Sequence, residues 1–360
     1  LPSAPAEHPR EEVSNRKTTL DASVDPEESM LMKSLGTSSL TAVVLLGAAA
    51  LHAGVAAAQP QAFPQKPVRL IVPFVPGGAT DVVARLLAQG LTERWPHAML
   101  VENRAGAGGS IASELVARAN PDGYTQIFAS GSVLTANQHM YAKLSHDPGK
   151  DLVGVSLVAS GPQVIAVAAN SKFQSLGDLL AAMRAAPGKL SYGSAGVGSQ
   201  VHLAGENFLF AAKIEATHVP YKGEAAAIAD LLGGQIDWAP PNLGAAINFL
   251  RDRKLRALAI TSPKRSAALP DVPTVAEAGV PGFENMGWFG VAVPRGTPAA
   301  LIGRMADEIQ KVASGAAFRE RVSGLGMDAV GNRPEEFQKY INEEIGRWGA
   351  IIRERKITAR

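Results

Sequence analysis

From Val68 onward the chain alternates short apolar runs with stretches in which apolar residues recur at helical spacing, and glycine-rich turns join the two. A short apolar run between turn residues reads as a buried strand, and a recurrence every three or four positions reads as one face of a helix. On that pattern strands are predicted at 68–74, 98–101 and 124–129, with helices at 80–94, 108–119 and 133–141. Two closely spaced strands, 153–158 and 163–168, then change the rhythm and are placed to carry the chain from one domain to another. In a second series, helices at 176–185, 199–212, 224–232 and 243–250 alternate with strands at 189–192, 216–219, 235–238 and 255–261. The proline-rich stretch 262–281 holds neither period and reads as a loop returning to the first domain. A strand at 287–293 and helices at 298–313 and 334–355 close that domain. Strands alternating with helices predict an α/β protein with mainly parallel strands, arranged as two similar lobes.

In open α/β sheets, ligands sit beyond the carboxyl ends of the strands, where a turn opens a helix. PFVPGGATD at 73–81 holds such a position after the first strand. Gly77 and Gly78 let the backbone approach closely, so amide donors and the positive end of the helix dipole favour an anionic oxygen there. Thr80 adds a hydroxyl, whereas Asp81, an acceptor only, reads as bracing the loop or capping the helix. SAGVGS at 194–199 repeats the arrangement in the second series, and Ser130-Gly131-Ser132 follows the third strand. Each loop alone also suits an ordinary tight turn. One in each lobe suits a grip on opposite ends of a small anion.

Composition mainly removes possibilities. The chain has 360 residues, 46% hydrophobic and 19% charged, which fits roughly two globular domains. Its 35 Lys and Arg against 33 Asp and Glu leave a net charge of +2, with no basic stripe interleaved with aromatics, so no nucleic-acid partner is expected. The absence of cysteine removes disulfides, thiolate zinc sites and thiol catalysis. No phosphate loop or HExxH helix occurs, and a GxSxG elbow fails because Tyr192 stands where its first glycine is needed. Ser194, His202 and Asp237 form a triad by residue type alone. His139 and His146 are spaced poorly for a metal.

Residues 1–29 are too polar to offset their ordering entropy and read as a disordered or over-extended leader. Met30, Met32, Lys33, the apolar run 40–51 and Ala56-Ala57-Ala58 then follow the order of a secretory signal, with cleavage after Ala58. A membrane anchor is the competing reading, because no formal charge falls between Lys33 and Lys66. The short apolar core and the Gln-Pro-Gln that follows it favour cleavage.

Across residues 66–355 the chain resembles the Bug family of periplasmic solute-binding proteins, the extracytoplasmic receptors of tripartite tricarboxylate transporters. The resemblance is carried by PFVPGGATD (73–81), VENRAGAGG (101–109), PDGYT (121–125), KLSHDPGKDLVGVSLVA (143–159), SAGVGSQVHLAGE (194–206), HVPYKG (218–223), LLGGQID (231–237) and LRALAITSPKRSAALPDVPTVAEAGVPGF (255–283). It implies a two-lobed periplasmic-binding fold of the Venus flytrap, type II-like kind, with a first lobe at 59–164 and 287–360 and a second at 165–286. It also implies no catalysis and neither cofactor nor metal. The expected ligand is a small carboxylate: a di- or tricarboxylate, an amino acid or an aromatic acid. By position, the first-lobe contacts would be Phe74, Gly77, Gly78, Ala79, Thr80 and Asp81, with Ser130, Gly131 and Asn137 nearby. Those of the second lobe would be Ser194, Ala195, Val197, Gly198 and Ser199, with Tyr221 and Asp237 lining the cleft. The chain departs from the usual pattern at 238–242, Trp-Ala-Pro-Pro-Asn, and at Gln138. The partner implied is the permease of a tripartite transporter, met in the periplasm by a monomer. The alternatives are a sensory module signalling to a membrane kinase and a serine-type hydrolase built on Ser194.

Overall fold

The computed structural model describes residues 63–359, so the expected leader, signal and cleavage site at 1–58 lie outside the described residues. The first half of the chain supplies β1 (Val68–Val72), α1 (Ala79–Thr92), β2 (Met99–Asn103), α2 (Ser110–Ala117), β3 (Thr125–Ser130), α3 (Gly131–Thr135), α4 (Asn137–Met140), α5 (Pro148–Asp151) and β4 (Leu152–Pro162). The middle supplies β5 (Val164–Ala168), α6 (Leu176–Ala185), β6 (Ser191–Ser194), α7 (Gln200–Ala212), β7 (Thr217–Pro220), α8 (Glu224–Leu232), α9 (Leu243–Arg251) and β8 (Leu255–Ile260). The return supplies β9 (Met286–Pro294), α10 (Ala299–Ser314), α11 (Ala316–Gly324), β10 (Asp328–Ala329) and α12 (Pro334–Arg355).

Six strands form the first sheet in the order β10-β4-β9-β3-β1-β2. β1 runs parallel to β2 and β3, but β9 lies antiparallel to both β3 and β4, and β10 antiparallel to β4. The expectation of mainly parallel strands therefore holds for only two of this sheet's five pairings. The reason is the path of the chain: β4 carries it out and β9 carries it back alongside, which makes the two antiparallel neighbours. Alternation along the strands sorts side chains onto opposite faces. Leu70 and Val72 join Leu87, Leu91 and Ile309 in one buried cluster, while Ile71 joins Val116, Phe337 and Ile341 in another. Each fully buried leucine or phenylalanine contributes about 1.5–3 kcal/mol, so both faces are substantial cores.

In the second lobe β5 pairs with β8 antiparallel and β6 with β7 parallel. The strand expected at 235–238 shrinks to single bridges, Tyr192 to Trp238 and Ala166 to Ala239. Pro240 and Pro241 follow at once, and without N–H groups they cannot extend a ladder. Trp238 instead fills the core, stacked on Tyr192 at 4.9 Å with Phe208 edge-on at 5.5 Å. The helix expected at 133–141 is split into α3 and α4, and α11 and β10 were not anticipated.

The two chain passages between the sheets are tied by buried polar groups. Gln163 follows β4 directly, and its backbone N–H donates to Thr261 Oγ1 at 2.8 Å. Thr261 Oγ1 donates to the Asn285 carbonyl at 2.7 Å, and Asn285 Nδ2 to Gln163 Oε1 at 2.8 Å. Outgoing and returning chain thus meet at one point.

Candidate ligand-binding site

β1 turns through 73–78 into α1, β6 turns through 195–199 into α7, and β3 runs straight into α3. The first N–H groups of each helix have no acceptor within it, so the three turns aim donors at the same gap. Phe74, Gly78, Thr80, Ser130, Ala195, Ser199, Gln200, Val201, Glu224 and Asn242 enclose a cavity there of about 10 Å³. That is room for about one water, so the lobes are drawn together.

Contacts across the gap maintain this closure. Tyr141 donates its hydroxyl to the Val197 carbonyl at 2.8 Å, and the Gly131 N–H donates to Gln200 Oε1 at 3.1 Å. The Ala79 N–H donates to Glu224 Oε2 at 2.9 Å. Among the described glycines, Gly108 makes the closest approach to backbone across the gap. It sits at φ +58, and a Cβ there would stand 2.2 Å from the Val197 carbonyl oxygen. Gly198 (φ +85) lies less tightly against Asn137, whose Oδ1 would be 2.7 Å from such a carbon.

The structure separates the expected site residues into groups. Phe74, Gly78, Thr80, Ser130, Ala195 and Ser199 line the cavity, and Ala79 and Gly131 stand behind it with their N–H groups engaged as above. Ser199 also caps α7, its Oγ accepting from the His202 N–H at 3.2 Å. Gly77 and Asp81 brace the first turn. Asp81 accepts from the Gly77 N–H at 3.0 Å, from Asn103 at 2.8 Å and from Arg85 at 2.9 Å. Burial alone would raise the Asp81 pKa, but these hydrogen bonds outweigh it and hold the carboxyl below its ordinary range.

Asn137, Val197 and Gly198 lie on the interlobe seam rather than on the cavity wall. Asn137 Nδ2 donates to the Gly108 carbonyl at 3.0 Å, while its buried Oδ1 has no hydrogen-bond partner. Tyr221 donates to Asp230 at 2.6 Å. Asp237 accepts from the N–H and hydroxyl of Ser191 at 2.7 and 3.0 Å. Neither Tyr221 nor Asp237 is on the cavity wall.

Ser194, His202 and Asp237 are not assembled as a triad. Ser194 Oγ instead meets His218 Nε2 at 2.6 Å, and His218 stacks between Tyr192 at 4.8 Å and His202 at 4.1 Å. Burial and the neighbouring His218 lower the His202 pKa to about 3, and burial lowers that of His218 to about 4. Both rings are therefore neutral near pH 7. His139 and His146 contact the Ile345 carbonyl and Ser113 respectively. Among the described residues no three His, Cys, Asp or Glu side chains are grouped to hold a metal.

Four wall residues escaped the sequence reading: Gln200, Val201, Glu224 and Asn242. Gln200 and Val201 follow the Ser199 cap directly and could have been added by extending the turn into its helix. Glu224 looked like an ordinary acid in the first turn of a helix, and nothing local shows that it reaches a partner 145 residues away.

Two lobes joined by paired crossings, with helix N-termini from both facing one gap, define the class of two-lobed solute-binding proteins. A family model described as "Tripartite tricarboxylate transporter family receptor" matches residues 83–357, and the chain belongs to that family. The chain is 36% identical to Protein BugT of Bordetella pertussis over 314 residues, 87% of this chain and 96% of BugT. Among solved structures it is similar to R. palustris Rpa4515 with adipate, at 34% identity and a TM-score of 0.80 over 82% of this chain and 99% of that one. It is also similar to MatC from Rhodopseudomonas palustris with bound malate, at 30% identity and a TM-score of 0.77 over 81% of this chain and 100% of that one.

Proposed function

We propose that the chain is an extracytoplasmic receptor that closes its lobes around a small carboxylate-bearing solute and presents the closed form to the permease of a tripartite transporter. One observation carries this reading: the N-termini of α1 and α7, which belong to different lobes, face one cavity together with the hydroxyls of Thr80, Ser130 and Ser199. Such ends are built to receive anionic oxygen. Adipate and malate in the two related structures belong to the same ligand chemistry. A solute touching both lobes favours the shut state by its differential affinity, which is the signal a permease can read.

The lobes assigned are 59–164 with 287–360, and 165–286, an assignment that sheet membership supports. The contacts assigned to the solute are the wall residues of 74–80, Ser130 and 195–201. Tyr221, Asp237 and the seam residues Asn137, Val197 and Gly198 act by holding the turns. Ser194 meets a histidine, but Asp237 is engaged by Ser191 and orients neither His202 nor His218, which favours binding over hydrolysis. Export to the periplasm follows from the signal reading of 30–58. Among the described residues no helix is long and apolar enough to cross a membrane.

Calorimetric titration and small-angle scattering against a panel of di- and tricarboxylates, amino acids and aromatic acids test the proposal. Saturable binding with a fall in radius of gyration is expected. A panel-wide absence of both, or ester turnover abolished by Ser194→Ala, would refute it.

A further inference from the structure

We propose that Glu224 selects the solute: it fills the first-lobe amide site with a carboxylate of its own, so the ligand presents a hydrogen-bond donor, an ammonium or a hydroxyl, at that end and its carboxylate at the other. This rests on the receptor reading and narrows it, from carboxylates at large to donor-bearing carboxylates of net charge no more negative than −1.

Glu224 is the first residue of α8, in the second lobe, and is 6% exposed. Its Oε1 accepts the backbone N–H of Asn242 at 2.8 Å and the Asn242 Nδ2 at 2.9 Å. Its Oε2 accepts the N–H of Ala79, the first residue of α1 in the opposite lobe, at 2.9 Å. A carboxylate offers about four acceptor positions, so one stays open, on Oε2. That oxygen faces Gly78, where an added Cβ would stand 3.1 Å away, and both residues line the cavity. An acceptor with spare capacity on a cavity wall calls for a donor.

Charge points the same way. Among the described residues Glu224 is the one ionisable group on the wall, and no Lys or Arg stands there to offset a second negative group. Burial raises the Glu224 pKa, against the hydrogen bonds from Asn242 and Ala79 that favour its carboxylate. A ligand carboxylate set against the α1 amides competes with Glu224 Oε2 for the Ala79 N–H and, against the ionised form, meets a like charge in a poorly solvated space. An ammonium or hydroxyl there would instead complete the fourth position with a charge-assisted bond. The carboxylate end has a separate receiver. α7 is thirteen residues long, and its first N–H groups, at Gln200 and Val201, lie beside the Ser199 hydroxyl with no charge attached.

The experiment is a calorimetric titration of the full chain with ligands matched in length and differing only at one end, across chains of about two to eight carbons. Succinate is compared with 4-aminobutyrate and 4-hydroxybutyrate, and adipate with 6-aminohexanoate and 6-hydroxyhexanoate. At the length that binds, the amino or hydroxy acid is expected to bind at least tenfold more tightly than the dicarboxylate. Glu224→Gln, which keeps the shape and removes the charge, should cut that ratio to below threefold or invert it. Ser199→Ala should weaken every ligand and leave the ratio alone. Equal or tighter binding of the dicarboxylate by the wild-type chain, or a ratio unmoved by Glu224→Gln, overturns the proposal while the receptor reading stands. Should Glu224→Gln fail to fold, the wild-type comparison decides alone. Failure of every carboxylate to bind overturns the receptor reading and this one with it.

Discussion

Gly108 sets how near the lobes can come. A methyl group there would collide with the Val197 carbonyl in the closed form, and its positive φ adds about 1–2 kcal/mol of backbone strain for any L residue. The collision exists only when the lobes are shut, so Gly108→Ala should reduce the binding-competent population and raise the apparent Kd in proportion. A loss of at least about tenfold in affinity, read by calorimetry, is expected, with only a few degrees lost from the unfolding midpoint. The stacked histidines give a pH prediction. His202 and His218 titrate near 3 and 4 in the folded chain, below the ordinary value near 6.5, so the unfolded chain binds more protons below pH 6.5. Their contribution to stability is full above about pH 6.5 and is lost as the pH falls toward 4 and then 3. Wild-type melting temperature should drop on the order of 5 °C between pH 7 and pH 4.5, and a His202→Gln/His218→Gln double variant should show a flatter slope over that range.

At the scale of elements, the β4–β5 passage matters most, because it carries the chain between sheets through one fully buried glutamine. Gln163 holds Asn242 through its Nε2 at 2.8 Å as well as Asn285 and Thr261. Gln163→Leu would leave the buried Asn285 Nδ2 without its acceptor and take one of two donors from Asn242 Oδ1, and a loss of about 1–3 kcal/mol in chemical denaturation is expected. Which elements the sequence disclosed follows from how they bury. α6, α8 and α12 begin and end where the apolar period does, since each lays one regular face on a core. α11 was missed because only Phe318 and Val322 are buried along it, too few to establish a period. The antiparallel pairing of β9 could not be read either, since strand direction is set by where the chain comes from and not by the residues in the strand. The turns at 73–81 and 194–199 were legible because glycine, proline and hydroxyl residues encode the turn itself. Glu224 and Asn242 belong to the cavity only through closure, and closure leaves no local pattern.

Across the whole molecule, closure is reinforced by contacts that continue from the glycine seam, where Met140 packs against Gly198. Met140 and Trp348 of the first lobe share a buried cluster with Leu203 of the second. Arg355, near the end of α12, donates to Asn207 Oδ1 and lies 4.1 Å from the Phe210 ring centroid, both on α7. Arg355→Ala removes a contact worth about 0.5–1 kcal/mol and should weaken ligand binding two- to fivefold, with a larger ligand-free radius of gyration in scattering. The meeting of Gln163 with Asn285 also bears on inheritance. The span between them leaves and re-enters its host at adjacent points, so two crossovers at those junctions exchange it without disturbing either flanking part of the chain. Chimaeras that take this span from a relative should fold and acquire that relative's half of the ligand preference, read by calorimetry.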